Sequence, residues 1–354
     1  MNRFSETTAS EQVEARRLLE AALDEGPSHA YLFYGPPGVG KRELARSFGR
    51  ELLGTTRAQH PDLYELAPLG EMIRIDEIRK LHRDLHMRPF EADRRVYLIQ
   101  SAQLMNEDAF DALLKDLEEP PPYAVIVLVA DELGSIPETI RSRCQLVPFR
   151  RLSERAVREI VDARAPELSE ERRVALARVA AGRLDRLARL LDPKAVTRRE
   201  KLLEQARAVY RDPAFDPSAA ASVLLDCARE RGAEAKELEE VNVNGLDLTA
   251  RESEQQVKRA QRGAERDELL AQLEELEAWY RDLIVVAVGA DQAAIHVDLL
   301  AELRADATRE RLLGAEHAAE AVRETWRQLE EFNLSPQLAL EALFVRIARE
   351  LPAS

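Results

Sequence analysis

The stretch Tyr31-Leu32-Phe33-Tyr34-Gly35-Pro36-Pro37-Gly38-Val39-Gly40-Lys41, running on into Arg42-Glu43-Leu44-Ala45-Arg46-Ser47-Phe48-Gly49-Arg50-Glu51-Leu52-Leu53, decides the fold. Its first four residues are bulky, apolar and too few for a helix, so they read as a buried strand. The segment from Arg42 has a helical pattern. Between them, glycines at 35, 38 and 40 let backbone N–H groups approach phosphate oxygens, and the helix N-terminus adds the positive end of its dipole. Lys41 has the reach to meet terminal phosphates. A plain Gly/Pro turn would need neither the lysine nor the helix, and here strand, spacing, lysine and helix agree on a P-loop.

Working outward, Val96 to Ile99 (VYLI) and Val125 to Val129 (VIVLV) repeat the strand signal. Helical periodicity falls between the strands: Ile75, Ile78, Leu81 and Leu85 mark one face, and Phe110, Leu113, Leu114 and Leu117 another. Asn106 can cap the second helix and Pro120-Pro121-Pro122 stops it. Strands alternating with amphipathic helices imply a parallel sheet covered on both faces. After Arg150 the strand signal fades and Ala, Leu, Arg and Glu dominate, a helical composition. The expected architecture is α/β plus all-α: a P-loop core over 1–150, a small helical lid over 151–204 and a helical domain over 205–354. The weakest link falls at Asp212 to Ser218, and the charge-dense stretch Glu230 to Arg266 carries a turn signal at Asn244-Gly245. Apolar stripes at Leu269, Leu273, Leu276, Trp279, Tyr280 and Leu283, and at Leu338, Leu340, Leu343, Phe344 and Ile347, read as core or partner surface.

Composition closes off other classes. The 354 residues are 45% hydrophobic and 33% charged, a globular balance. The longest apolar runs, 123–130 and 283–290, are far short of the roughly 18 to 20 residues that cross a bilayer. The opening MNRFSETTASEQ lacks the basic end and apolar stretch of a signal peptide, so a cytoplasmic chain is expected. Only Cys144 and Cys227 are present, too few for a disulfide framework or a four-cysteine zinc site. Net charge is −14 from 51 basic and 65 acidic residues. A free-standing nucleic-acid module needs a basic surface, so any such contact is local or shared with partners.

The loop is nevertheless incomplete as an engine. The residue after Lys41, where a hydroxyl would ligate Mg²⁺, is Arg42, and the VYLI strand runs into Gln100 and Ser101 where an acidic pair would hold the metal and polarise the attacking water. With these groups missing together, the site is expected not to hydrolyse ATP. Backbone donors and Lys41 remain, so ATP or ADP binding stays open; Arg42 either replaces lost metal charge or plugs the pocket.

At these residues the chain resembles the bacterial DNA polymerase III clamp-loader branch of the AAA+ ATPases. Besides GPPGVGK, the resemblance rests on His60-Pro61-Asp62, the IRIDEIRKL stretch, Ala112-Leu113-Leu114-Lys115 with Leu117-Glu118-Glu119-Pro120-Pro121, and Ser142-Arg143-Cys144; the SPQLALEALF stretch, Ser335 to Phe344, is similar to the end of that family's collar domain. Within the family, gamma/tau subunits keep working ATP sites and delta-prime subunits commonly carry degenerate ones, and this chain resembles the latter. The four-cysteine zinc module usual before the HPD stretch is replaced by 52–59, so no zinc is expected. The resemblance implies that Arg143 reaches the γ-phosphate on a neighbouring gamma/tau subunit as an arginine finger, and that Arg186, in Gly182-Arg183-Leu184-Asp185-Arg186, senses nucleotide from the lid. It implies gamma/tau and delta subunits as partners, with the sliding clamp and primed DNA reached through the complex. Cys144 reads as a small structural residue. The rivals are an active gamma/tau-type ATPase and a nucleotide-regulated adaptor outside replication.

His82 and His86 stand four apart on one helix face, a metal-binding spacing, but no third ligand is evident and no metal is expected. Asp84 with Glu91 or Asp93 reads as a solvated face.

Overall fold

A computed structural model describes residues 11–57, 60–68, 72–243, 249–331 and 334–352; the turn expected at Asn244-Gly245 lies outside them. The first compact unit comprises the described residues up to Glu167 together with Ala180–Leu187. It runs α1 (Val13–Glu25), β1 (Ala30–Tyr34), α2 (Lys41–Leu52), β2 (Leu63–Leu66), α3 (Ile75–Leu85), β3 (Arg95–Ile99), α4 (Glu107–Glu118), β4 (Ala124–Ala130), α5 (Glu138–Arg141), β5 (Gln145–Pro148) and α6 (Glu154–Arg164). The sheet order is β2-β3-β4-β1-β5 and every pairing is parallel, with Leu32 opposite both Leu128 and Leu146.

The three strands expected from sequence are the three central ones. The edge strands escape that reading because β2 carries Glu65 in a half-exposed LYEL and β5 ends in Pro148, so neither forms an apolar run. Period-two alternation builds two cores from one sheet. Leu32, Tyr97, Ile99, Ile126 and Leu128 face α3 and α4, meeting Ile78, Leu81, Leu113 and Leu117. Tyr31, Phe33, Val96, Leu98, Val125 and Val127 face the other way, meeting Leu19 of α1 and Leu44, Ala45 and Phe48 of α2. Asn106 caps α4 as expected, its Oδ1 accepting from Ala109 N–H at 3.1 Å. The HPD stretch also has a physical role. Asp62 is buried, and its carboxylate accepts from the N–H groups of Phe90, Glu91 and Ala92 at 2.7–2.9 Å. Burial pushes its pKa up, but these donors and Arg95 outweigh that and hold it below the usual carboxylate range.

The second unit comprises Leu168–Val179 and the described residues from Ala188 onward. It contains α7 (Glu170–Val179), the later part of α8 (Leu184–Leu191), α9 (Pro193–Arg211), α10 (Pro217–Val243), α11 (Ala250–Ala287), α12 (Leu300–Asp306), α13 (Leu312–Glu331) and α14 (Pro336–Glu350). The residues expected as a lid thus divide between the units. Asp212 to Ser218 lies inside the second unit as a turn, with Asp212 Oδ1 accepting from Ala214 N–H and Asp216 Oδ1 from Ser218 N–H. The described parts of the charge-dense stretch, 230–243 and 250–266, are helical. Both apolar stripes are largely buried within this unit, around Trp279, Tyr280, Leu340 and Phe344; only Leu338 stands out, 66% exposed.

One buried cluster there makes stability pH-dependent. His296 is fully buried, with Nδ1 2.8 Å from Asp282 Oδ2 and Nε2 3.1 Å from Glu275 Oε1. Burial pulls its pKa down, but the two carboxylates prevail and raise it above the ordinary imidazole value. Because the folded state binds this proton more tightly than the unfolded chain, its stabilisation is complete below the unfolded pKa of about 6.5 and is lost as pH rises through the folded value. The melting temperature of the wild type should therefore fall from pH 6 towards 9 more steeply than that of His296→Gln. Parallel curves would reject the assignment.

Candidate functional site

The phosphate loop forms where β1 ends and α2 begins, at the carboxyl edge of the sheet. Gly38 has φ +70°, and a Cβ there would lie 1.7 Å from Asp185 Oδ1, so conformation and space both require glycine. Gly35, at φ +141°, would place a Cβ 2.3 Å from the carbonyl oxygen of Phe149, and Gly40 supplies the left-handed cap of α2. Lys41 is buried, and its Nζ donates to the carbonyls of Gly35 and Pro36, both at 2.5 Å, and to Asp131 Oδ1 at 2.9 Å. Burial holds its pKa below the ordinary lysine range even with Asp131 and Asp185 beside it.

Two positions that depart from the P-loop pattern, 42 and 100, meet each other. Arg42 Nε donates to Gln100 Oε1 at 3.0 Å, across 58 residues of chain. Gln100 is 1% exposed, and its Nε2 is buried without a hydrogen-bond partner among the described residues. A divalent ion does not fit this pair: the glutamine oxygen is taken, its amide nitrogen can only donate, and the guanidinium adds like charge. Ser101 follows in the left-handed region, φ +51°, and opens a short 3₁₀ turn.

Two carboxylates flank the loop. Asp131, just past β4, holds Lys41 with Oδ1 and accepts from Gln103 Nε2 at 2.9 Å with Oδ2. The sequence reading did not include it. The signal was present, however, as an acid at the carboxyl end of the strand beside β1, where ligands of open parallel sheets bind. Asp185 comes from the lid stretch: Leu184 N–H donates to Gly38 O at 2.6 Å, setting Asp185 against the loop, where Arg183 pairs with it at 2.6 Å. Burial raises the Asp185 pKa, but Arg183 and backbone N–H groups hold it below the usual range. Arg186 is buried one residue further on.

Arg143 lies away from this loop, just after α5. Its Nη2 donates to Glu118 Oε1 at 2.6 Å and its Nη1 to Thr139 O at 2.8 Å, leaving the side chain 35% exposed. Cys144 packs beside the α3/α4 core, and burial pushes its thiol up to about 12, so it carries no thiolate at neutral pH. Among the residues set aside, Asp84 pairs with Arg95 at 2.8 Å and Glu91 with Arg57 at 3.1 Å, whereas His82 and His86 meet a third group, Asp116, which the sequence reading lacked.

Strand, glycine loop, lysine and helix on a parallel sheet define the P-loop class of nucleotide-site proteins. Residues 11–153 match the family model described as "DNA polymerase III, delta subunit". DNA polymerase III subunit tau of Bacillus subtilis is 31% identical over 211 residues, covering 54% of this chain and 37% of that protein. DNA polymerase III subunit delta' of the same organism is 33% identical over 165 residues, covering 42% and 50%. A solved gamma subunit-related protein of Thermotoga maritima aligns over 96% of this chain and 99% of its own length at 18% identity, with a TM-score of 0.45. Residues 11–153 are thus similar in sequence to DNA polymerase III clamp-loader subunits of the delta' and gamma/tau kind. The chain spans at most half the length of these two curated relatives.

Proposed function

We propose that the chain is a delta-prime-type clamp-loader subunit that does not turn over ATP and lends Arg143 to a nucleotide held by a neighbouring gamma/tau-type subunit. The observation that carries the first half is the Arg42–Gln100 hydrogen bond. It joins the positions that should present a hydroxyl and a carboxylate to Mg²⁺, leaving a cation and an amide in their place. The loop's lysine has an anionic neighbour of its own in Asp131, and Asp185, paired with Arg183, occupies space against Gly38, so an entering phosphate must compete with Asp131 for Lys41. Nucleotide is not required for this role, and Lys41 here serves to order the loop.

The second half is supported by Arg143, whose guanidinium is partly exposed on an ion pair with Glu118 rather than locked in a core. Core over 1–150, lid over 151–204 and collar over 205–354 are the functional divisions of this reading, with gamma/tau and delta subunits as direct partners. The sliding clamp and primed DNA are met in the assembly. No helix among the described residues is long and apolar enough to cross a membrane.

A second reading, an active gamma/tau-type ATPase, is favoured by the longer match to the tau relative. Hydrolysis by the purified chain alone separates the two. No turnover above background is expected, with or without DNA; turnover that Lys41→Ala abolishes would overturn the proposal. Consistent failure to recover gamma/tau and delta subunits with the chain would favour an adaptor outside replication.

A further inference from the structure

On the sheet face opposite α2, helices α3 and α4 bring together three side chains of metal-binding type. His82 and His86 stand one turn apart on α3 and at its end, their rings 4.7 Å apart. Asp116 of α4 lies between them: His82 Nδ1 is 2.6 Å and His86 Nε2 3.9 Å from its Oδ1. The ligand atoms of all three residues fall within 4.8 Å of one another. The decisive feature is the carboxylate. Its side chain is 1% exposed, and Oδ2 is buried without a hydrogen-bond partner among the described residues. A carboxylate removed from water is costly unless its oxygens meet donors or a cation, and one oxygen here meets neither. The imidazoles are 45% and 53% exposed, which leaves the cluster open to a hydrated ion from solvent.

The geometry points to a binding site for one borderline divalent cation, Zn²⁺ by its chemistry, held by His82, His86 and Asp116 with water completing the shell. Two imidazole nitrogens and one carboxylate oxygen suit zinc, whereas Mg²⁺ and Ca²⁺ prefer oxygen throughout. Zinc holds such ligands at about 2.0–2.2 Å, so its ligand atoms stand roughly 3.3 Å apart in a tetrahedron. Reaching that arrangement needs the His82–Asp116 pair to open slightly and His86 to turn inward. Both imidazoles are exposed enough to rotate without moving either helix. The ion would tie α3 to α4 on the face away from the phosphate loop, in a chain whose two cysteines cannot build a four-thiolate module.

The test uses the full chain stripped with chelator, then titrated with Zn²⁺ by calorimetry and with Co²⁺ by visible absorption. One equivalent should bind and raise the melting temperature. His86→Ala alters an exposed residue and should keep the fold, checked by circular dichroism, yet weaken binding about tenfold or more. Asp116→Asn keeps the shape and should weaken binding comparably. Absence of binding to the wild type, or affinity unchanged in His86→Ala, would overturn the site. Affinity unchanged in Asp116→Asn would reduce it to an exposed histidine pair and overturn it equally.

Discussion

If Arg143 acts as proposed, replacing it with Ala should slow the hydrolysis at the neighbouring subunit's site by about 10³-fold or more in the reconstituted complex, while leaving this chain folded. A finger guanidinium spreads positive charge over the transferring phosphoryl group and is worth roughly 10³ to 10⁵ in rate. At 1.36 kcal/mol per decade that is about 4 to 7 kcal/mol. Against it stands the Glu118 pair, which must loosen before Arg143 can reach another subunit. With both partners a third or more exposed, a single surface pair contributes about 0 to 1 kcal/mol. The larger effect wins, so on the proposed role the Glu118 pair does not prevent Arg143 from reaching a neighbour. Lys at 143 should not rescue, since an ammonium lacks the planar fork of donors. DNA-stimulated ATPase of the assembled complex is the measurement; a rate unchanged by Arg143→Ala would remove the trans role.

The second large effect is on stability. Trp279→Ala should cost the helical unit about 3 to 5 kcal/mol, the range for deleting a buried large aromatic. The ring is fully buried, and its Nε1 donates to Tyr210 Oη at 3.1 Å. Tyr210 in turn donates to Asp306 Oδ2 at 3.0 Å, and the same oxygen accepts from Arg207 Nε at 2.8 Å. Arg207 also lies over the indole, 5.9 Å from its centroid, and His296 meets the ring edge-on at 5.5 Å. Trp279→Phe keeps most of the volume and loses mainly the N–H bond, so it should cost about 1 to 2 kcal/mol. Urea unfolding followed by circular dichroism checks both. A loss under about 1 kcal/mol for the alanine variant would show that the cavity collapses, and that the indole is not the hub of this core.

What was legible in the sequence was whatever adjacent residues encode. The phosphate loop, the three central strands and the Asn106 cap each depend on neighbours within a few positions. The departures at Arg42, Gln100 and Ser101 were also visible, since each stands where the motif has another residue type. That Arg42 and Gln100 bond to each other was not, because only the sheet brings residue 42 to residue 100. The same holds for Asp131 against Lys41, for Asp116 against the two histidines, and for His296 between Glu275 and Asp282. Each is a single acid or imidazole with an unremarkable local context, and its meaning comes from long-range packing. The apolar stripes of the helical region show the opposite difficulty. Periodicity revealed a buried face but not what covers it, and most of the cover is the unit's own helices.

The strand order has a consequence for how the chain is made. β1 carries the phosphate loop, yet its two partners are β4 and β5, so Ala30 finds Ile126 and Tyr31 finds Gln145 only after nearly the whole first unit has been translated. A nascent polypeptide that has emerged as far as β3 holds an apolar ribbon with no ladder to join. Parallel pairings between distant segments also form slowly. The strand that carries the loop thus leaves the ribosome well before either of its ladder partners, and during that interval its apolar residues depend on a chaperone's cover.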